Sequence, residues 1–436
     1  MSAPRVSELV DELVVLLIAL RIHGDSAEES LEAARAPART LERLLAVGAR
    51  ERLELRFERG LLTHDGRALV GASLGAAHLV EALERLGAGG LALERGADAD
   101  ALLALARRLE RRDAPADDTP RARLLPTDAP CAPGVVHDLE RPLRFYQRLV
   151  DHLQDVMVRV CRRESVSLGP TRMLVDALVA RVEREPGELL ALARYESHEA
   201  FTFGHSLRVT LLALEFAQAH THDRATLERL ALAALVHDIG KAWVPFEVLH
   251  TRGPLDDAAR AEMERHTEYG GAILTAMEAD PLCVAVAFGH HLRFAGGGYP
   301  RTRHTAPLSV ATRLVKICDA FEALTAPRPH RAALSPAHAY RILLAMNGHF
   351  DPRLLRRFVE VHGIHPVGTH VRLAGGERAR VVGQSQRIDR PLVVLTHAAD
   401  GTPLAPGPAL DLSHPSQAER AVLGTLAPPD SDQLAA

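Results

Sequence analysis

Residues 231–241 read ALAALVHDIGK. The apolar run 231–236 predicts a helix that closes on His237-Asp238, with Gly240 the residue suited to stop it. An imidazole beside a carboxylate at the end of so apolar a helix is costly unless something pairs with them. A core histidine bonded to nearby polar groups would account for a lone His-Asp pair, but this pair has company. His205 lies one predicted helix earlier and His266 in the helical region after it. His290 and His291 end the next helix, and Asp319 sits within APLSVATRLVKICDAFEAL. Successive members are about 24 to 32 residues apart, which lets antiparallel helices bring one turn each to a common centre.

Five histidines and two aspartates without a thiolate suit borderline to hard divalent ions such as iron, manganese or zinc, and argue against a structural zinc site. The set is large for one ion. Two divalent metals bridged by Asp238 are therefore expected, a centre able to neutralise a phosphoryl transition state. The chain has 50 arginines and two lysines, Lys241 and Lys316. An ordinary surface cation here would be arginine, so Lys241, one turn from His237, is read as a compact charge for a phosphate oxygen. Lys316 lies one turn before Asp319, without an assigned role. The segment HHLRFAGGGYPRTRH (290–304) places Gly298, Tyr299 and Pro300 in a glycine-rich loop whose amides can approach phosphate. Arg293, directly after the histidine pair, is the arginine read as a phosphate or guanine contact.

These residues resemble the HD-GYP family, a branch of the HD metal-dependent phosphohydrolases. The resemblance is carried by GHSLRV (204–209), HDIGK (237–241), HTEYGGAIL from His266, the paired histidines with GGGYP (290–300), the Asp319 segment, TAPRP (325–329) and GHFDPRLLRRF (348–358). It covers about half the chain. It implies an all-helical catalytic domain that hydrolyses cyclic di-GMP, a bacterial second messenger, to pGpG or GMP. The metal ligands would be His205, His237, Asp238, His266, His290, His291 and Asp319, with iron or manganese the most natural ions. Asp238 and Lys241 would be the catalytic residues, and Arg293, Gly298, Tyr299 and Pro300 would bind substrate. The chain departs from the family at Phe201, where a third-metal ligand would stand, with Glu199 out of phase. It also has Leu292 and Ala295 for two acids of the loop motif, and Thr251-Arg252 for Lys-Pro. Those departures keep open a receptor or scaffold that binds cyclic di-GMP or metal without turnover, and an HD phosphohydrolase of another phosphoester.

Away from this region the readings are plainer. Spacing predicts helices at 5–22 and 26–48, a hairpin in RLELRFERGLLTHDGRALV (52–70), a helix near 74–86, a strand at 91–93 and a helix near 98–112. Residues 1–112 are thus a small α+β sensor or dimerisation domain with no cluster of ligands, through which a second copy or a signalling partner would act. Residues 113–140, rich in Pro, Asp and Ala, read as a linker. Residues 141–365 form the helical domain, 366–415 a small β module, and 416–436 a loose tail, giving a mainly α fold. Of 436 residues, 47% are hydrophobic and the net charge is −4, which excludes a disordered chain and argues against a nucleic-acid polymer as partner. The early apolar run is too short for a membrane span and too acidic for a signal peptide, and the four scattered cysteines read as reduced thiols; a cytoplasmic protein is expected.

Overall fold

Leu9, Val10, Leu13, Leu16, Leu17 and Leu20 are buried along α1 (Val6–His23), and even Asp11 and Glu12 are covered, so the helix is enclosed. The computed structural model describes residues 5–24, 28–58, 61–110, 121–126, 140–185, 187–193, 203–249, 251, 253–301, 307–326, 333–405 and 407–426. It divides into two units, Met1–Arg163 with Tyr195–Gly204 and Pro429–Ala436, and Glu164–Arg194 with His205–Pro428. In the first unit α1 is followed by α2 (Glu28–Val47), β1 (Arg52–Glu58), β2 (Leu61–His64), β3 (Arg67–Ala68), α3 (Val70–Gly75), α4 (Ala77–Arg85), β4 (Ala88–Glu94), α5 (Ala99–Glu110), β5 (Ala122–Pro126) and α6 (Glu140–Cys161). The strands form one antiparallel sheet in the order β3-β2-β1-β4-β5. The predicted hairpin is present, but its His64-Asp65-Gly66 turn joins β2 to β3.

Two expectations need correction here. The stretch read as a linker contributes β5, paired along β4 from Ala122↔Leu93 to Ala88↔Pro126; residues 111–120 and 127–139 lie outside the described residues. The helix expected to open the catalytic domain, α6, belongs to the first unit. Its apolar face, with Leu143, Tyr146, Leu149 and Val150, packs on α1, α3 and α4, and Gln147 Nε2 donates to Ser73 O at 2.9 Å.

The first unit also holds a titratable cluster that the sequence pattern did not reveal. His78, Glu81 and Asp151 bring ligand-type atoms within 4.8 Å of one another. His78 Nε2 lies 2.6 Å from Glu110 Oε1 and its Nδ1 3.4 Å from Asp151 Oδ1, while Arg21 reaches Asp155 at 3.0 Å. Cations and carboxylates thus clasp α1, α4, α5 and α6 together. Burial alone would lower the His78 pKa, yet Asp151 and Glu110 outweigh it and raise it to about 9, from 6.5. A raised histidine stabilises the fold fully below pH 6.5, and that contribution is lost as pH rises through about 9.

The second unit runs α7 (Gly169–Arg184), α8 (Glu188–Ala193), α9 (Phe203–Gln218), α10 (Arg224–Leu235), α11 (Phe246–Leu249), α12 (Asp257–Glu264), α13 (His266–Ala276), α14 (Pro281–Gly289), α15 (Val310–Thr325), α16 (Pro336–Ala345) and α17 (Pro352–His362). Side-chain caps start several of these helices: Asp223, Asp256, Asp280, Ser309, Ser335 and Asp351 each accept from a first-turn amide. The helical region that carries His266 is two helices, α12 and α13, separated at Arg265. Phe321, Tyr340 and Phe358 meet with ring centroids 4.9 and 5.3 Å apart and tie α15, α16 and α17 into a core.

Five antiparallel strands follow, β6 (His370–Leu373), β7 (Arg378–Gly383), β8 (Leu392–His397), β9 (Leu410–Asp411) and β10 (Val422–Leu426), in the order β10-β6-β7-β8-β9. Val371, Leu373, Ala379, Val381, Val393 and Leu412 fill the core of this sheet. Part of the expected tail is therefore β10, paired with β6; residues 427–436 lie outside the described residues. No helix among the described residues is long and apolar enough to cross a membrane. Thermal melts of the full chain should show a loss of stability between pH 6.5 and about 9, and His78→Gln should flatten that dependence. A wild-type profile as flat as the variant's would refute the clasp.

Candidate metal centre

Helix α10 stops at Leu235, and a short 3-10 turn covers Ile239–Trp243. His237 and Asp238 occupy the junction, 0% and 3% exposed. Gly240 does not end the helix by a left-handed turn, as the sequence suggested. Its role is contact: a Cβ there would lie 1.9 Å from His266 O and 2.3 Å from Gly270 N. Only glycine lets the turn press against the start of α13, and that contact brings Asp238 to His266.

The other expected residues converge on the same point. Asp238 Oδ2 lies 3.4 Å from His237 Nε2 and 3.6 Å from His205 Nε2, and Asp319 Oδ1 lies 3.2 Å from that same nitrogen. Asp238 Oδ1 faces the other way, 3.5 Å from His266 Nε2 and 3.8 Å from His290 Nε2. His291 completes the second half, its ring 4.1 Å from His290 and 5.1 Å from His266 between centroids. Two donor groups result, His205-His237-Asp238 and His266-His290-His291, each with ligand atoms within 4.8 Å.

The ring nitrogens are aimed by their hydrogen bonds. His237 Nδ1 donates to Ala234 O at 2.7 Å, His266 Nδ1 to Met263 O at 2.7 Å, and His290 Nδ1 to Ala287 O at 2.9 Å. A carbonyl only accepts, so each Nδ1 carries the proton and each Nε2 presents a bare lone pair to the centre. The Nε2 atoms of His266 and His290 then face each other at 3.3 Å, and His237 Nε2 is buried with no aligned hydrogen-bond partner. Opposed lone pairs in a dry site repel. A cation shared between them removes the conflict, so the donor set fits a divalent metal centre.

The electrostatics agree. Burial would raise the Asp238 carboxyl, but Lys241 and His237 hold it well below the usual carboxylate range. Asp319 is likewise lowered against burial, by His205 and His291. Burial drives His290 far down and His291 to about 3, so both stay neutral and able to ligate. Lys241 Nζ lies 2.6 Å from Asp238 Oδ2, so the structure places this lysine first on the central aspartate.

One residue was missed. Glu322, 3% exposed, hydrogen-bonds His205 Nδ1 and accepts from Arg208 Nε at 2.6 Å. Burial opposes its ionisation, yet Arg208 and His205 lower it to about 2. Glu322 does for His205 what backbone carbonyls do for the other histidines. Its position one turn after Asp319 was the available signal.

The glycine loop stands beside the second half. Tyr299 stacks on His291 at 4.5 Å, Pro300 is buried, and Gly298 has φ +87° where a Cβ would meet His291 O at 2.4 Å. Arg293 is exposed, its amide bonded to Gly297 O at 2.9 Å. Leu292 bridges to Gly298 and Ala295 N donates to Gly348 O at 2.9 Å, so both departures are absorbed in backbone pairing. Glu199, Phe201 and Arg252 lie outside the described residues.

The HD domain family matches residues 193–354. Cyclic di-GMP phosphodiesterase PA4108 of Pseudomonas aeruginosa is 32% identical over 308 residues, which cover 69% of this chain and 74% of that protein. The 3'3'-cGAMP-specific phosphodiesterase 1 of Vibrio cholerae is 34% identical over 140 residues, 32% of each chain. Cyclic di-GMP phosphodiesterase response regulator RpfG of Xanthomonas campestris pv. campestris is 29% identical over 227 residues, 50% of this chain and 60% of that one. With the converging histidines and aspartates, the match to PA4108 and the HD segment make this chain a member of the HD domain family of metal-dependent phosphohydrolases, in its HD-GYP branch.

Proposed function

We propose that the helical unit is a two-metal phosphodiesterase that opens cyclic di-GMP to pGpG, and on to GMP. The observation that carries this is the set of inward, unprotonated Nε2 atoms on both sides of one aspartate, His237 on one side of Asp238 and His266 and His290 on the other. His205, His237, Asp238 and Asp319 would hold one ion, and Asp238, His266, His290 and His291 the other. Iron or manganese suits a donor set of imidazoles and carboxylates. When bound, the pair supplies Lewis-acid charge for the phosphoryl oxygens and lowers the pKa of attacking water.

The chain's own residues do the rest. Asp238 separates the two halves, and Lys241 and His237 hold its charge against the effect of burial. Lys241, with one of its three N–H groups on Asp238, has donors left for a non-bridging phosphate oxygen. Arg293 and the Gly298-Tyr299-Pro300 turn border the substrate. Departures at Leu292 and Ala295 remove no proposed metal ligand, which weighs against a receptor without turnover. A cytoplasmic location, and a sensing, dimerising or partner-binding role for residues 1–112, belong to the same reading.

Protein loaded with Mn, or with Fe kept reduced, should hydrolyse cyclic di-GMP and carry about two metals per chain. Asp238→Ala should lower turnover by at least about a hundredfold together with metal content. No hydrolysis under any metal or redox condition would overturn the proposal. Glu322→Gln should weaken metal affinity by roughly 10–100-fold through His205 alone. Metal titration followed by tryptophan-independent calorimetry checks this, and an unchanged affinity would remove Glu322 from the centre.

A further inference from the structure

Lys316 is the second of the two lysines in the chain, and the proposed reaction leaves it unused. It is 8% exposed, on α15, one turn before Asp319. Its Nζ donates to His290 O at 3.3 Å and lies 5.4 Å above the Phe350 ring. Among the described residues no carboxylate stands within ion-pair distance of it; Asp319, the nearest acid by sequence, is turned to His205. A buried ammonium with one long hydrogen bond has donors unspent, which costs free energy unless an anion arrives.

Two more positive or protonatable groups gather there. Arg293 is exposed and likewise has no ion pair among the described residues. His349 is joined to the glycine loop, since Phe294 N donates to its carbonyl at 3.2 Å. Burial, then Arg293 and Lys316, hold the His349 imidazole below its usual range. Three elements thus converge beside the His290-His291 half of the centre: Lys316 and Arg293 bring positive charge and His349 a neutral ring, and although Asp319 acts on Lys316 electrostatically, among the described residues it forms its ion pair with His205 and not with the lysine.

We propose that Lys316, Arg293 and His349 form an anion subsite for the phosphodiester of the substrate that is not being cleaved. The inference rests on the reading of a cyclic dinucleotide substrate, which carries two phosphodiesters, one for the metals and one to be held elsewhere. Lys316 and Arg293 supply charge-assisted donors, and His349 supplies a neutral ring N–H. Arg313, one turn earlier on α15, is occupied by Asp351 at 2.5 Å and takes no part.

The test compares Mn-loaded full-length wild type, Lys316→Met, Lys316→Arg and Arg293→Gln on cyclic di-GMP and on bis(p-nitrophenyl) phosphate, which has a single phosphodiester. Lys316→Met and Arg293→Gln should lose at least about tenfold more kcat/KM on the dinucleotide than on the small ester, mostly in KM. Lys316→Arg should recover most of the difference. Equal losses on both substrates, or loss of metal with Lys316→Met, would make Lys316 a structural residue and overturn the subsite; Arg293→Gln, on an exposed loop, keeps the test valid if Lys316→Met fails to fold. Should wild type bind cyclic di-GMP without turnover, the proposed function fails while calorimetry still reads the subsite. A Kd at least about tenfold weaker in Lys316→Met and Arg293→Gln would then support it. An unchanged Kd, or no binding by wild type, would overturn it.

Discussion

A bare carboxylate held inside a helical core is the constraint to which the rest of this site answers. Asp238 is 3% exposed, and an isolated charge at that depth would neutralise by taking up a proton. Lys241 on one oxygen keeps it ionised, and imidazoles stand on both sides of it. Because its two oxygens look in opposite directions, the helices that carry the histidines have to approach from opposite sides. The close contact at Gly240 and the stacking of Tyr299 on His291 follow from that requirement.

Much of this was legible in the sequence. The five histidines and two aspartates were picked out because they fall on separate predicted helices at a regular separation, and the structure gathers them all in one place. Glu322 was not picked out because a buried glutamate in DAFEAL reads like any polar turn of an amphipathic helix. Its value depends on Arg208 and His205, 114 and 117 residues away. Gly240 was assigned the wrong task for a similar reason: a helix stop and a close helix contact both demand glycine, and local sequence does not separate them.

The same limit explains the differences elsewhere. Helix α6 has an amphipathic pattern that suits any apolar neighbour, and only the folded arrangement reveals that α1, α3 and α4 receive it. The segment of β5 is five residues long and borders a proline-rich stretch, too short for periodicity to outweigh composition. The cluster around His78 joins residues from four helices, a grouping that spacing along the chain does not encode.

The carbonyl partners of His237, His266 and His290 lie only three residues earlier in the chain. Ring orientation at these positions is therefore a property of each helix end by itself. As soon as the terminal turn forms, its imidazole is already aimed, whatever the other helices are doing. Assembly of the centre becomes a docking of prepared ends, with little search among side-chain rotamers left to complete. His205 is the exception, since its orienting glutamate arrives from α15. Among these four histidines it is the one whose direction waits on tertiary structure, which makes the His205–Glu322 pair the natural last step in closing the site.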